Sequence, residues 1–191
     1  MPEPTALGHL RVWRALTITN SGQMFSTERM RVEPWKRAFE GRDLSAASGL
    51  AALLTPEVLK SLPEPLQTEN TPENCQSWID ARLSESEVLA ILEPSSNALI
   101  GVIILAEFET SDAGTDVHIG YLLSQHYWGK GLASEVIAGL VAHFTKAARP
   151  IRLLGGVEKT NPASARVLLK AGFARLPELS DEETEIFALV L

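Results

Sequence analysis

The chain has 191 residues, 45% of them hydrophobic and 21% charged, with a net charge of −7. That length and apolar content suit one well-buried domain and are short for two. The acidic balance gives no broad positive field for nucleic acid or anionic membranes, and the single cysteine, Cys75, excludes an internal disulfide framework or a cysteine metal cluster.

The opening residues lack the basic start, apolar core and small-residue cleavage site of a signal peptide. The longest apolar run, Ala98 to Ala106, falls short of the roughly 20 residues that span a bilayer. A cytoplasmic protein with no membrane partner and no nucleic-acid partner is expected.

Residues 1–27 mix charge, glycine and isolated apolar positions without a sustained period. They are read as an N-terminal extension with a short strand around Arg11 to Thr19, and 28–191 as one domain. Met30 to Trp35 alternates as a strand, with Met30, Val32 and Pro34 on one side. Arg37 to Arg42 is a loop, after which Asp43 is placed to cap a helix carrying Leu44, Ala47, Leu50, Ala51 and Leu54 on one face. Thr55-Pro56 and Thr71-Pro72 each join a good N-cap to a proline at the first helical position, with a loop from Leu62 to Thr71 between them. Cys75, Trp78, Ile79 and Leu83 keep helical spacing to about Ser84, which gives Cys75 a packing role.

Glu87 to Glu93 and Ala98 to Glu109 read as a hairpin about a turn at Pro94 to Asn97. Gly101 inside the second strand marks a bulge or a close backbone approach. Val117, Ile119, Tyr121 and Leu123 then alternate with Asp116, His118 and Gly120, the period of a half-buried strand. From Leu132 the apolar residues Val136, Ile137, Leu140, Val141 and Phe144 lie on one stripe of a helix reaching Lys146. Ile151 to Val157 is a strand, and Asn161-Pro162 opens a helix with Val167, Leu168 and Ala171 inward and Arg166 and Lys170 outward. Gly172 suits a left-handed helix end, Phe173 packs back, and Glu183 to Leu191 ends the chain as a strand.

Between the fifth strand signal and its helix lies Trp128-Gly129-Lys130-Gly131-Leu132-Ala133. Glycines there free the backbone and clear side chains from amides that lack helical partners, which makes the turn a candidate phosphate cradle. A Walker loop fails for want of the upstream glycine and of a hydroxyl after Lys130. The dinucleotide fingerprint fails at Ser134, where its third glycine would stand, and the preceding strand opens no evident βαβ unit.

The stretch from Ile119 to Glu135, I-G-Y-L-L-S-Q-H-Y-W-G-K-G-L-A-S-E, resembles the acetyl-CoA motif Q/R-x-x-G-x-G/A of the GCN5-related N-acetyltransferase (GNAT) superfamily, and most closely its RimJ/RimL-like branch. His126 stands where the motif has Gln or Arg. Asn161 to Phe173, N-P-A-S-A-R-V-L-L-K-A-G-F, is similar to the helix that closes the cofactor site in that superfamily. The resemblance implies an α/β (α+β) fold, with a mixed, mainly antiparallel twisted sheet of about six to seven strands and helices on both faces. It implies acetyl-CoA as donor, an amine acceptor held by the segment after the first strand, and transfer by direct attack without an acyl-enzyme.

By that resemblance the donor's pyrophosphate rests on amides of Trp128, Gly129, Lys130, Gly131, Leu132 and Ala133. The pantetheine arm follows Leu122, Leu123 and Ser124, where the strand diverges from its neighbour, and Asn161 contacts the arm. Lys130, Arg166 and Lys170 are candidates for the nucleotide phosphates. His118, in a position where relatives often carry Glu, is the first candidate base, with Glu107 second and Asp116 third. Register decides whether Glu107 and His118 meet, because a one-residue slip puts them on opposite faces. The tyrosine many relatives use as acid falls at Leu168, which leaves Ser164. The four histidines offer no His-x-x-x-His pair, so no metal is expected. A non-catalytic acyl-CoA sensor or interaction module of the same fold is the alternative. A homodimer through an exposed Trp13 or Trp35 is a further expectation.

Overall fold

The computed structural model describes residues 24–40, 46–63, 66–110 and 114–191. The expected strand at Arg11 to Thr19, Trp13, and the cap at Asp43 with Leu44 lie outside the described residues. Among the described residues eight strands form one sheet in the order β1-β2-β3-β4-β5-β6-β8-β7, with β1 at Phe25–Ser26, β2 at Arg31–Pro34, β3 at Glu87–Leu92, β4 at Leu99–Glu109, β5 at Thr115–Leu123, β6 at Ile151–Glu158, β7 at Ala174–Arg175 and β8 at Thr184–Val190. β1 lies inside the stretch read as an extension.

Every neighbouring pair is antiparallel except β5 and β6, which run parallel. Parallel neighbours need a crossover of a dozen or more residues, and helix α5 (Leu132–Phe144) supplies it. The expectation that β5 opens no βαβ unit is thereby corrected. β3, β4 and β5 form the antiparallel meander that their hairpin spacing suggests, and the glycine turn then leads into the crossover helix.

Helix α1 (Trp35–Ala38) begins directly after Pro34, so the strand stops one residue short of the sequence reading and the following loop starts as a helical turn. Trp35 is buried, 2% exposed, with its ring 4.7 Å from that of Phe39. That removes it as a candidate interface tryptophan. Helix α2 (Ala46–Leu53), α3 (Pro56–Leu59) and α4 (Pro72–Glu85) follow. The hydroxyls of Thr55 and Thr71 accept from the amides of Val58 and Asn74 at 3.4 and 3.2 Å, and Asn161 accepts from Ser164 N at 3.1 Å to start α6 (Pro162–Lys170). Each satisfies an amide that the first helical turn leaves open.

Two cores sandwich the sheet. Leu89, Ile103, Leu105, Val117, Ile119 and Leu153 face α5 and α6. Val88, Ala90, Val102 and Leu122, on the alternate positions, face α2, α3 and α4 with Cys75 and Trp78. Gly101 marks both features anticipated of it: the β3–β4 register shifts between Ile91 and Leu92, and a Cβ at Gly101 would lie 2.5 Å from the Leu122 carbonyl oxygen.

Candidate active site

The functional geometry starts where β5 and β6 part. Their ladder runs from Thr115↔Ile151 to His118↔Leu154 and stops, while β5 continues to Leu123 and β6 to Glu158. Over Ile119 to Leu123 the β6-facing edge of β5 therefore has no strand partner among the described residues. A buried strand edge of this kind asks for hydrogen bonds from something that lies along it. A cleft of about 510 Å³ opens through this gap, walled by Ile119 to Leu123 on one side and Gly155 to Glu158 on the other.

The glycine turn closes one end. Gly129 and Gly131 have φ of 71° and 76°, left-handed conformations that other residues adopt at a cost. A Cβ at Gly129 would meet nothing within 4 Å, so its absence keeps the turn's outer surface clear. The Trp128 indole donates to the Leu123 carbonyl at 2.8 Å, which ties the turn to the end of β5. Arg29, from the β1–β2 connection, fastens the other side: its guanidinium reaches Glu135 at 2.6 and 2.7 Å and the Lys130 carbonyl at 3.0 Å. Glu135 also accepts from the Arg29 amide at 2.9 Å. Burial acts to raise the Glu135 pKa, yet the bonds from Thr27 and Arg29 and the Arg29 charge hold it below its usual value.

Of the residues expected to hold the donor, Leu122, Leu123, Trp128, Gly129, Gly131, Leu132, Ala133, Asn161 and Ser164 line the cleft. Ser124 sits just beyond, its amide bonded to the Ile100 carbonyl at 2.8 Å. Lys130 borders a neighbouring hollow and places its ammonium 5.2 Å from the centre of the Tyr127 ring. Arg166 and Lys170 are exposed on the outer face of α6 and do not line the cleft.

Among the catalytic candidates, His118 occupies the last rung before the gap, on the α2–α4 face of the sheet. It is exposed, with its ring edge-on to Phe108 at 5.2 Å. Loss of solvent lowers its pKa from the ordinary 6.5; the Asp116 carboxylate acts against that and Arg152 adds to it. Arg152 grips Asp116 at 2.5 and 2.9 Å, which commits the third candidate base to an ion pair. Glu107 pairs with Val117, and Ala106 with His118. Glu107 and His118 thus lie on opposite faces, so the joint action considered for them is ruled out. Glu107 instead meets Arg149 at 2.8 Å, away from the cleft.

Leu168 is 1% exposed and fills the space beside Gly155, where an added Cβ would stand 2.8 Å from Leu168 Cδ1. A phenol nevertheless reaches this region from another element. Tyr121 on β5 points across the cleft, and its hydroxyl lies 3.5 Å from the Ser164 carbonyl oxygen. Burial raises its pKa, with the Ser164 side chain opposing, so it keeps its proton at neutral pH. The sequence reading counted Tyr121 as an apolar strand position and missed it; the signal was a polar handle in an otherwise aliphatic alternation. Also missed were Arg29, more than 100 positions from its partners, and Glu158 in the cleft lining; Val58, Leu62 and Leu66, which line it too, fall within the segment after the first strand that was expected to hold the acceptor.

Fold and cleft together define a mixed-sheet α/β domain that opens a binding cleft through its own sheet, with a bare amide turn at one mouth. The chain belongs to the GNAT acetyltransferase family: the family model for the acetyltransferase (GNAT) domain matches residues 32–174. Solved structures agree on the fold. A GNAT-family acetyltransferase from Bacillus anthracis is 18% identical with a TM-score of 0.61, covering 87% of this chain and 96% of its own. A provisionally named ribosomal-protein-serine acetyltransferase from Vibrio cholerae is 15% identical at 0.64, covering 88% and 97%. The microcin C7 self-immunity acetyltransferase MccE, solved with acetyl-CoA and AMP, is 19% identical at 0.59, covering 86% and 93%. Among the described residues no helix is long and apolar enough to cross a membrane, and no group of three or more His, Cys, Asp or Glu side chains could hold a metal ion.

Proposed function

We propose that this chain is an acetyl-CoA-dependent N-acetyltransferase of the RimJ/RimL-like kind, acting in the cytoplasm on a primary amine, either a protein N-terminus or a small molecule. The observation that carries the reading is the end of the β5–β6 ladder at His118↔Leu154, with the glycine turn at the open end of the gap. Acetyl-CoA supplies a thioester; a linear pantetheine arm along β5 would satisfy the open strand edge, as a third strand would. The amides of Gly129 to Ala133, at the positive end of α5, suit the pyrophosphate, whereas the Trp128 amide, counted with them from the sequence, donates to the Gln125 carbonyl at 3.1 Å.

Transfer forms a C–N bond and breaks the C–S bond, so one proton must leave the amine and one must reach the thiolate. His118, at the last β5–β6 rung beside the cleft and with a pKa lowered from 6.5 that favours its neutral form, serves as the base. Ser164, in the first turn of α6, and Tyr121, whose hydroxyl on β5 lies 3.5 Å from the Ser164 carbonyl oxygen, supply the proton to sulfur, with Tyr121 standing in for the tyrosine replaced by Leu168. Release of free thiol from acetyl-CoA in the presence of amines tests the proposal. Amine-dependent release that falls in His118→Ala supports it. Tight acetyl-CoA binding with no transfer to any amine would favour the sensor or interaction module instead.

A further inference from the structure

The cleft has two unlike ends. One end is the glycine turn; on the α2–α4 side it meets Val58, Leu62 and Leu66, an aliphatic wall. The wall is fixed in place: Leu62 O accepts from Gln67 Nε2 at 3.0 Å, and Leu66 O accepts from the Trp78 indole at 3.2 Å. Glu158 is the one charged side chain among the described residues that line the cleft. Glu158 ends β6 on the same face as Gly156 and Leu154, and therefore as His118, two strand periods from the last β5–β6 rung. Its carboxylate accepts from Thr160 Oγ1 at 3.4 Å, and no ion pair with it occurs among the described residues.

We infer that the acceptor is a monocationic amine with an apolar body, drawn as the ammonium into the cleft by Glu158, its apolar part laid on the Val58–Leu62–Leu66 wall, and passed on as the free amine toward His118 and the thioester. This rests on the acetyl-transfer reading and names the substrate class for that site. A polycation would need several carboxylates along the cleft, and an acidic amine would meet Glu158 with like charge. A small apolar amine and a peptide with an apolar N-terminal residue share this chemistry.

Thiol release from acetyl-CoA by the wild-type chain should be compared for phenethylamine, a peptide beginning with Leu, a peptide beginning with Asp, and spermidine. The first two are expected to exceed the last two in kcat/KM by about tenfold or more; which of the two is better tells small molecule from peptide. Glu158→Gln should lower kcat/KM for the favoured amine by about tenfold, the loss of one charge-assisted contact, and leave acetyl-CoA affinity unchanged by calorimetry. Preference for spermidine or the Asp peptide, or full activity of Glu158→Gln, overturns the inference while leaving acetyl transfer standing. Absence of transfer to all four amines, with acetyl-CoA bound, overturns the functional reading and the inference with it.

Discussion

Three glycines with positive φ allow the phosphate-cradle argument to be separated from simple backbone strain. Gly129, Gly131 and Gly172 have φ of 71°, 76° and 93°, and alanine at any of them carries a similar penalty of about 1–2 kcal/mol. For a chain of this size each kilocalorie lowers Tm by roughly 2–4 °C, so the three variants should lose comparable thermal stability. None of the added methyls clashes: the nearest atoms are beyond 4 Å at Gly129, 3.8 Å away at Gly131 and 3.9 Å away at Gly172. Only the first two glycines line the cleft, whereas Gly172 follows α6 outside it. A methyl on the turn costs at least one amide–phosphate hydrogen bond, about 1.5–3 kcal/mol for a charged acceptor, or roughly 10- to 100-fold in acetyl-CoA affinity. Calorimetric titration of Gly129→Ala, Gly131→Ala and Gly172→Ala, each with its melting curve, makes the comparison. Equal affinity losses at all three sites would refute the argument, as would full affinity in both turn variants.

Other outcomes follow from the same geometry. A base must be neutral, so kcat/KM should be level near neutral pH and fall as pH drops through a value below 6.5; Asp116→Asn removes the carboxylate that opposes the lowering and should move that acid limb further down. Arg29→Ala frees Lys130 and Glu135, and it should raise KM for acetyl-CoA about three- to tenfold with little change in kcat, Arg29→Lys recovering part of the loss. The Arg29–Glu135 pair is half-exposed on the arginine side, so Tm should shift by no more than about 1 kcal/mol implies. Gly101→Ala drives a methyl toward the Leu122 carbonyl, and chemical denaturation should report a loss of about 1–3 kcal/mol.

Elements set by local chemistry were legible in the sequence. The Thr55, Thr71 and Asn161 caps, the stripe of α5 and the irregularity at Gly101 all follow from neighbours within a few residues. The glycine turn was legible because its backbone demand can be met by few residues. What the chain brings together from afar was not. Parallel pairing of β5 with β6, and the rung at which it ends, depend on how α5 packs, and no residue of either strand announces them. Whether Glu107 meets His118 turned on register, and the Ala106↔His118 pairing puts them on opposite faces. The Arg29 clamp joins residues 106 positions apart, and Tyr121 was hidden by fitting its strand's alternation so well.

The most direct test of the central claim is calorimetric titration of the wild-type chain with acetyl-CoA, with free CoA and ATP as comparisons. Binding of both CoA forms in the micromolar range, abolished by Gly131→Val and not matched by ATP, is the predicted result. A folded protein that takes up neither CoA form would contradict the account.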